Sequence, residues 1–88
     1  MYYVYLLRSE SHPRQTYIGS TGNLRKRFDE HNSGKSVHAK KFTPWSLMAY
    51  FGFPERKTAE RFEDYLKSGS GRAFAKRHFW SLVGNSVL

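Results

Sequence analysis

Four side chains in the first third of the chain combine types and spacing that could do chemistry: Tyr5, Tyr17, Arg27 and His31. Arg27 and His31 stand at i and i+4, so a helix carrying both shows them on one face. Arginine offers a permanently charged fork that matches phosphate. Histidine titrates near neutrality, at ~6.5, and can take up a proton there. A free phenol titrates at ~10, so only ~0.1% is phenolate at neutral pH. Tyr17 can serve as a base only where a cation or hydrogen bond lowers that value. Plainer roles stand beside these. Strand tyrosines usually pack a core, an exposed helical arginine is usually solvated, and His31 could simply complement a helix C-terminus. Together, though, two tyrosine-bearing strands feeding a helix with Arg27 and His31 read more as a site than as scaffold.

The elements that must position these groups follow from pattern. Residues 2–8 alternate with apolar side chains on both faces, which predicts a central strand. Residues 9–15 carry turn chemistry around Pro13, and Thr16-Tyr17-Ile18 makes a short return strand ended by Gly19. Asn23 is the expected N-cap of a helix from Leu24 to about Asn32, with Leu24 and Phe28 as its buried stripe and Gly34 as its stop. After a basic loop, Leu47 to Phe53 reads as a third strand, with Leu47, Ala49, Phe51 and Phe53 on one face. Thr58 is the expected cap of a second helix, Ala59 to about Ser68, with Glu60 in its first turn and Ala59, Phe62 and Leu66 inward. Glu63 lies at the margin of that stripe, within reach of Lys67 at i+4. Ser68 to Gly71 reads as a break, followed by a basic helix from Arg72 to about Trp80 with Phe74 and Trp80 inward. The order β-β-α-β-α-α predicts an α+β fold, a small three-stranded, mostly antiparallel sheet flanked by helices. A single domain over residues 1–88 is expected, with its core over about 2–80 and a poorly determined tail from Ser81.

With 88 residues, the chain has room for one core. It has no cysteine, which excludes disulfides and thiolate zinc sites. The N-terminal apolar run is too short to span a membrane and has no basic leader, so a cytoplasmic location without membrane association is expected. The formal net charge of +8 points to a polyanionic partner, and nucleic acid is the commonest. Lys26, Lys35, Lys40, Lys41, Arg72, Lys76 and Arg77 are the candidate contacts. A non-catalytic nucleic-acid-binding module is the alternative to an enzyme. A protein-interaction domain using Phe42, Trp45 and Trp80 is a third option.

Tyr3-Val4-Tyr5, Tyr17-Ile18-Gly19, the run from Asn23 through Arg27 and His31 to Gly34, and the later Ala59-x-x-x-Glu63-x-x-Leu66-Lys67 together resemble the GIY-YIG nuclease family. Lys67 to Phe74 is similar to small stand-alone members related to the N-terminal incision domain of the nucleotide-excision-repair nuclease. The resemblance spans roughly residues 2–80. It implies divalent-metal-dependent phosphodiester cleavage, of DNA more than RNA, with a single Mg²⁺ or Mn²⁺. It further implies Tyr17 as the general base or water-orienting phenol, Tyr5 as its partner, Arg27 on the phosphate charge, His31 as an activator of the nucleophile and Glu63 as sole metal ligand. Two positions depart from the family pattern: Tyr3 replaces the first signature's glycine, and Ser20 stands where some members carry a catalytic lysine.

Overall fold

A computed structural model describes residues 1–34 and 40–80. Lys35 and the tail from Ser81 lie outside the described residues. Strands β1 (Tyr2–Ser9), β2 (Thr16–Thr21) and β3 (Trp45–Phe53) form one antiparallel sheet in the order β2-β1-β3. The strand with apolar residues on both faces takes the centre, because only there are both faces covered. Val4, Tyr5, Leu6 and Leu7 are fully buried.

Alternation along β1 feeds two separate clusters. Tyr5 and Leu7 pack with Phe42 and Trp45, and with half-buried Tyr17, Leu24 and Phe28. Val4 and Leu6 face the other way, onto Ala59, Leu66 and Ala75, with Ile18, Phe51, Phe62 and Phe79 around them. Helix α1 (Leu24–Ser33) covers the first face; α2 (Arg56–Lys67) and α3 (Gly69–Ala75) cover the second. The α+β order β-β-α-β-α-α is as the sequence predicts.

Several boundaries differ from the sequence pattern, each for a local reason. β2 runs through Gly19 to Thr21 instead of stopping at the glycine. β3 starts at Trp45, and a bulge opposite Leu6 and Leu7 leaves Met48 without a cross-strand partner. That extra residue shifts the alternation, so Leu47 joins Tyr50 on the α1 side of the sheet instead of Phe51 on the other. Leu24 and Phe28 are half-buried rather than buried; α1 has no fully buried residue.

Asn23 caps α1 as expected, its side chain accepting from the Lys26 backbone N–H at 3.1 Å, and Gly34 ends it in the left-handed region at φ 77°. Helix α2 begins at Arg56, ahead of Thr58, and its N-cap Glu55 makes no side-chain capping bond. Glu60 therefore lies in the second turn, where it pairs with Arg56 at 3.0 Å. Ala59 and Leu66 are buried and Phe62 packs against them, which keeps the predicted stripe.

The glycine-serine run is a one-residue break, not a stop. Ser68 caps α3 by accepting from the Gly71 N–H at 3.3 Å. Gly71 is buried against the end of α2, where any Cβ would collide with the Tyr65 carbonyl. Beyond Ala75 the chain makes a π-helical turn, Lys76–Trp80. The earlier start and wider turn set a different phase from the one expected: Ala75, Phe79 and Trp80 point inward, while Phe74 is exposed beside His78.

Candidate active site

Tyr5 and Gly19 are cross-strand partners, and the glycine makes room for the phenol. A Cβ at Gly19 would lie 2.7 Å from Tyr5 Oη and 2.8 Å from Tyr17 Cε1, closer than such atoms pack. The Tyr5 and Tyr17 rings stack at 6.0 Å, with 29° between their planes. The glycine after Tyr17-Ile18 is therefore needed to keep two tyrosines together, not to turn the chain.

Helix α1 supplies the remaining members. His31 Nε2 lies 3.2 Å from Tyr5 Oη, and its ring sits 4.6 Å from that of Tyr17. Arg27 donates from Nε to Tyr5 Oη at 3.4 Å and pairs loosely with Glu30 at 3.5 Å. A bracket that the sequence did not announce fixes the end of α1. The Asn32 amide donates to the Trp45 carbonyl at 3.1 Å and accepts from the Trp45 N–H at 2.6 Å. A helix with only half-buried apolar residues is thus capped locally at its start and tied to β3 at its end, and Arg27 and His31 project from the span between.

Electrostatics separate the roles of these groups. Burial pushes the Tyr5 phenol up to about 12, against the opposing hydrogen bond from Arg27 and with help from neighbouring Tyr17. Tyr5 is therefore a protonated hydroxyl at neutral pH. Burial, and next the Arg27 charge, hold His31 below its ordinary 6.5, so its imidazole is neutral. The hydrogen bond to Tyr5 raises Arg27, a fixed cation in any case.

Glu63 comes from α2, on the other side of the sheet. Ser20 Oγ donates to its Oε1 at 2.6 Å and Lys67 Nζ to its Oε2 at 2.7 Å. Partial burial pushes the carboxyl up, but these two hydrogen bonds outweigh it and hold the group below its usual range. Ser20 directly follows Gly19 on edge strand β2, and its side chain points to the opposite face. The structure thus gathers Tyr5, Tyr17, Arg27 and His31 on one face, and holds Glu63 across the β2 edge from them. Lys67 at i+4 was foreseeable from spacing; Ser20 was not, because only the fold brings it to α2.

No group of three or more His, Asp or Glu suited to a metal occurs among the described residues. One carboxylate still fits a hard divalent ion, which keeps most of its waters and takes further oxygens from phosphate. Glu63, ionised and with one lone pair on each oxygen beyond its present partners, suits that role.

The described basic candidates are spread over several elements. Lys26 is exposed on α1, and Lys40 and Lys41 precede β3. Arg72 lies on α3, donating from Nε to the Lys67 carbonyl at 3.1 Å, and Lys76 and Arg77 follow in the π turn. No helix among the described residues is long and apolar enough to cross a membrane.

Comparison with known proteins agrees with this layout. Residues 1–77 match the GIY-YIG catalytic domain. The chain is 40% identical over 73 residues to the structure-specific endonuclease subunit SLX1 of Debaryomyces hansenii, covering 75% of this chain and 21% of that protein. The Candida dubliniensis protein of the same name is 38% identical over 84 residues, covering 88% of this chain and 28% of its own length. A homolog in Cryptosporidium parvum is 39% identical over 67 residues, 72% of this chain and 16% of that protein. The chain thus spans about a fifth to a quarter of the length of the first two relatives. With the tyrosine pair, the Arg27/His31 helix and the match over residues 1–77 all in agreement, this chain belongs to the GIY-YIG catalytic domain family.

Proposed function

We propose that the chain is a metal-dependent endonuclease domain that hydrolyses phosphodiester bonds in DNA. The observation that carries this is the Arg27–Tyr5–His31 contact chain beside Tyr17, which sets a fixed cation, a neutral base and two phenols on one sheet face. In this reading Arg27 uses Nε on Tyr5, and its remaining N–H donors, with Nη1 exchanging its loose Glu30 pair, turn to the scissile phosphate. Tyr5, protonated with its pKa about 12, accepts from Arg27 Nε and, in this reading, from the His31 Nε2–H, which leaves Nδ1 as the basic nitrogen of neutral His31. It positions both groups and is no base. Tyr17 orients the attacking water, and His31 takes up the proton that leaves it. Glu63 would hold one Mg²⁺ or Mn²⁺, which when bound supplies charge for the phosphoryl oxygen and the departing 3′ oxygen.

The named relatives are structure-specific endonuclease subunits, so branched or junction DNA and a second protein subunit are the proposed substrate and partner. Cleavage of a labelled branched duplex with Mg²⁺, measured for the native chain and for Glu63→Ala, tests the reading. Nicking by the native chain and none by a folded Glu63→Ala is the expected result. No product with any DNA form, or full activity in the variant, would remove it.

A further inference from the structure

The mechanism above leaves one large feature unused, a groove of about 610 Å³ on the β3 side of α1. Tyr3, Tyr50 and Leu47 wall it from the sheet, Leu24 and Phe28 from the helix, and Arg25 stands at its rim. The bulge at Met48 creates it by turning Leu47 to this face. Tyr50 is 57% exposed and Leu47 36%, a wide opening for aromatic and aliphatic strand residues. The Tyr3 and Tyr50 rings meet edge to face at 6.2 Å, which braces Tyr50 as a fixed surface.

The walls and rim point to one kind of occupant. Aromatic rings with a guanidinium beside them are the chemistry by which proteins hold single-stranded nucleic acid: bases stack on the rings and cations meet the phosphates. A second copy of this chain is disfavoured on charge, since both would carry +8. The groove and the catalytic cluster share one sheet face, since Tyr50 is the cross-strand partner of Tyr5. A nucleic-acid strand reaching Arg27 on one flank of α1 has the groove on the other.

We propose that this groove takes an unpaired nucleobase of the substrate, with Tyr50 as its stacking surface and Arg25 on the adjoining phosphate. The inference rests on the nuclease reading and adds a selection rule to it. A paired base is already stacked and must be unpaired and extruded before it can enter, so the groove favours DNA whose strands are already open near the cut.

The test uses no metal, so the strand stays whole. Fluorescence anisotropy compares a short oligothymidylate with the same strand carrying abasic sugars, both in EDTA. The native chain is expected to bind the abasic strand on the order of tenfold more weakly. Tyr50→Ala should bring the two strands to the same affinity, and Tyr50→Trp should keep the difference. Equal binding of the two strands by the native chain, still weakening with salt, overturns the groove while the nucleic-acid reading stands. A base preference that survives in Tyr50→Ala also overturns it, as does a self-association in sedimentation that Tyr50→Ala abolishes. No binding to any oligonucleotide removes both readings.

Discussion

The two faces of the sheet are built on different principles. The α2/α3 face is a dry apolar core, in which Val4, Leu6, Ala59, Leu66 and Ala75 are fully or nearly fully buried. The α1 face has a helix without a single fully buried residue, held by an Asn23 cap and an Asn32 bracket, over a layer of tyrosine, histidine and tryptophan. Stability is concentrated on the first face and polar chemistry on the second. The separation lets a small chain keep a buried, hydrogen-bonded phenol beside a half-buried one without weakening its main core. Two charged groups interrupt the apolar side: Glu63, brought to the β2 edge by Ser20, and Arg8, which lies over the Trp80 ring and donates to the Trp80 carbonyl.

Substitutions on either face should break along this line. Leu66→Ala removes a fully buried side chain and is expected to cost ~2–5 kcal/mol in denaturant unfolding, while surviving folded molecules keep their activity per mole. Arg27→Ala is the mirror case. It should lower the cleavage rate on the order of 10²–10³-fold. Its unfolding midpoint should barely move, because Arg27 is exposed and its ion pair with Glu30 is loose. Equal loss of stability in both variants would erase the distinction between the faces. Asn23→Ala should destabilise by ~1 kcal/mol through its lost cap. Its rate should also fall if cap and catalysis are linked through α1, which a KM-against-kcat comparison reads out.

The smallest effect is in pH. His31 has its folded pKa below 6.5, so it is neutral above that value and becomes charged only as pH falls through the lowered one. Cleavage is therefore expected to be flat just above neutrality and to decline on the acid side, with a midpoint below 6.5 that His31→Ala removes. The same shift makes a contribution to stability that is present above 6.5 and lost as pH falls through the folded value. Tyr5, raised to about 12, behaves oppositely: its contribution is present below pH 10 and lost as pH rises through 12. A cleavage limb centred above 6.5 would contradict the assignment of His31.

Local chemistry was readable in the sequence; contacts made through the fold were not. Asn23, Gly34, the two-faced β1 and the Arg27/His31 spacing depend on neighbours within a turn or a strand, and pattern reports those directly. The Met48 bulge is invisible to alternation, since one unpaired residue only reverses the parity on one side of it. Gly69 to Gly71 has the composition of a stop, and only packing against the Tyr65 carbonyl explains why glycine is needed inside a helix. Gly19 likewise has the look of a strand end, although what it accommodates is the Tyr5 ring from another strand.

Asn32 has a wider consequence. By taking both the N–H and the C=O of Trp45, its side chain stands in for a strand backbone and splices the end of α1 into the sheet. The position of His31, its immediate neighbour, is then fixed by these two hydrogen bonds together with the Tyr5, Tyr17 and Trp45 rings around it. The groove that Leu24 and Phe28 help to wall lies beside this tether, so a change in its shape leaves the two hydrogen bonds at the end of α1 in place. A tether of this kind separates the shape of the groove from the placement of the Arg27 and His31 face.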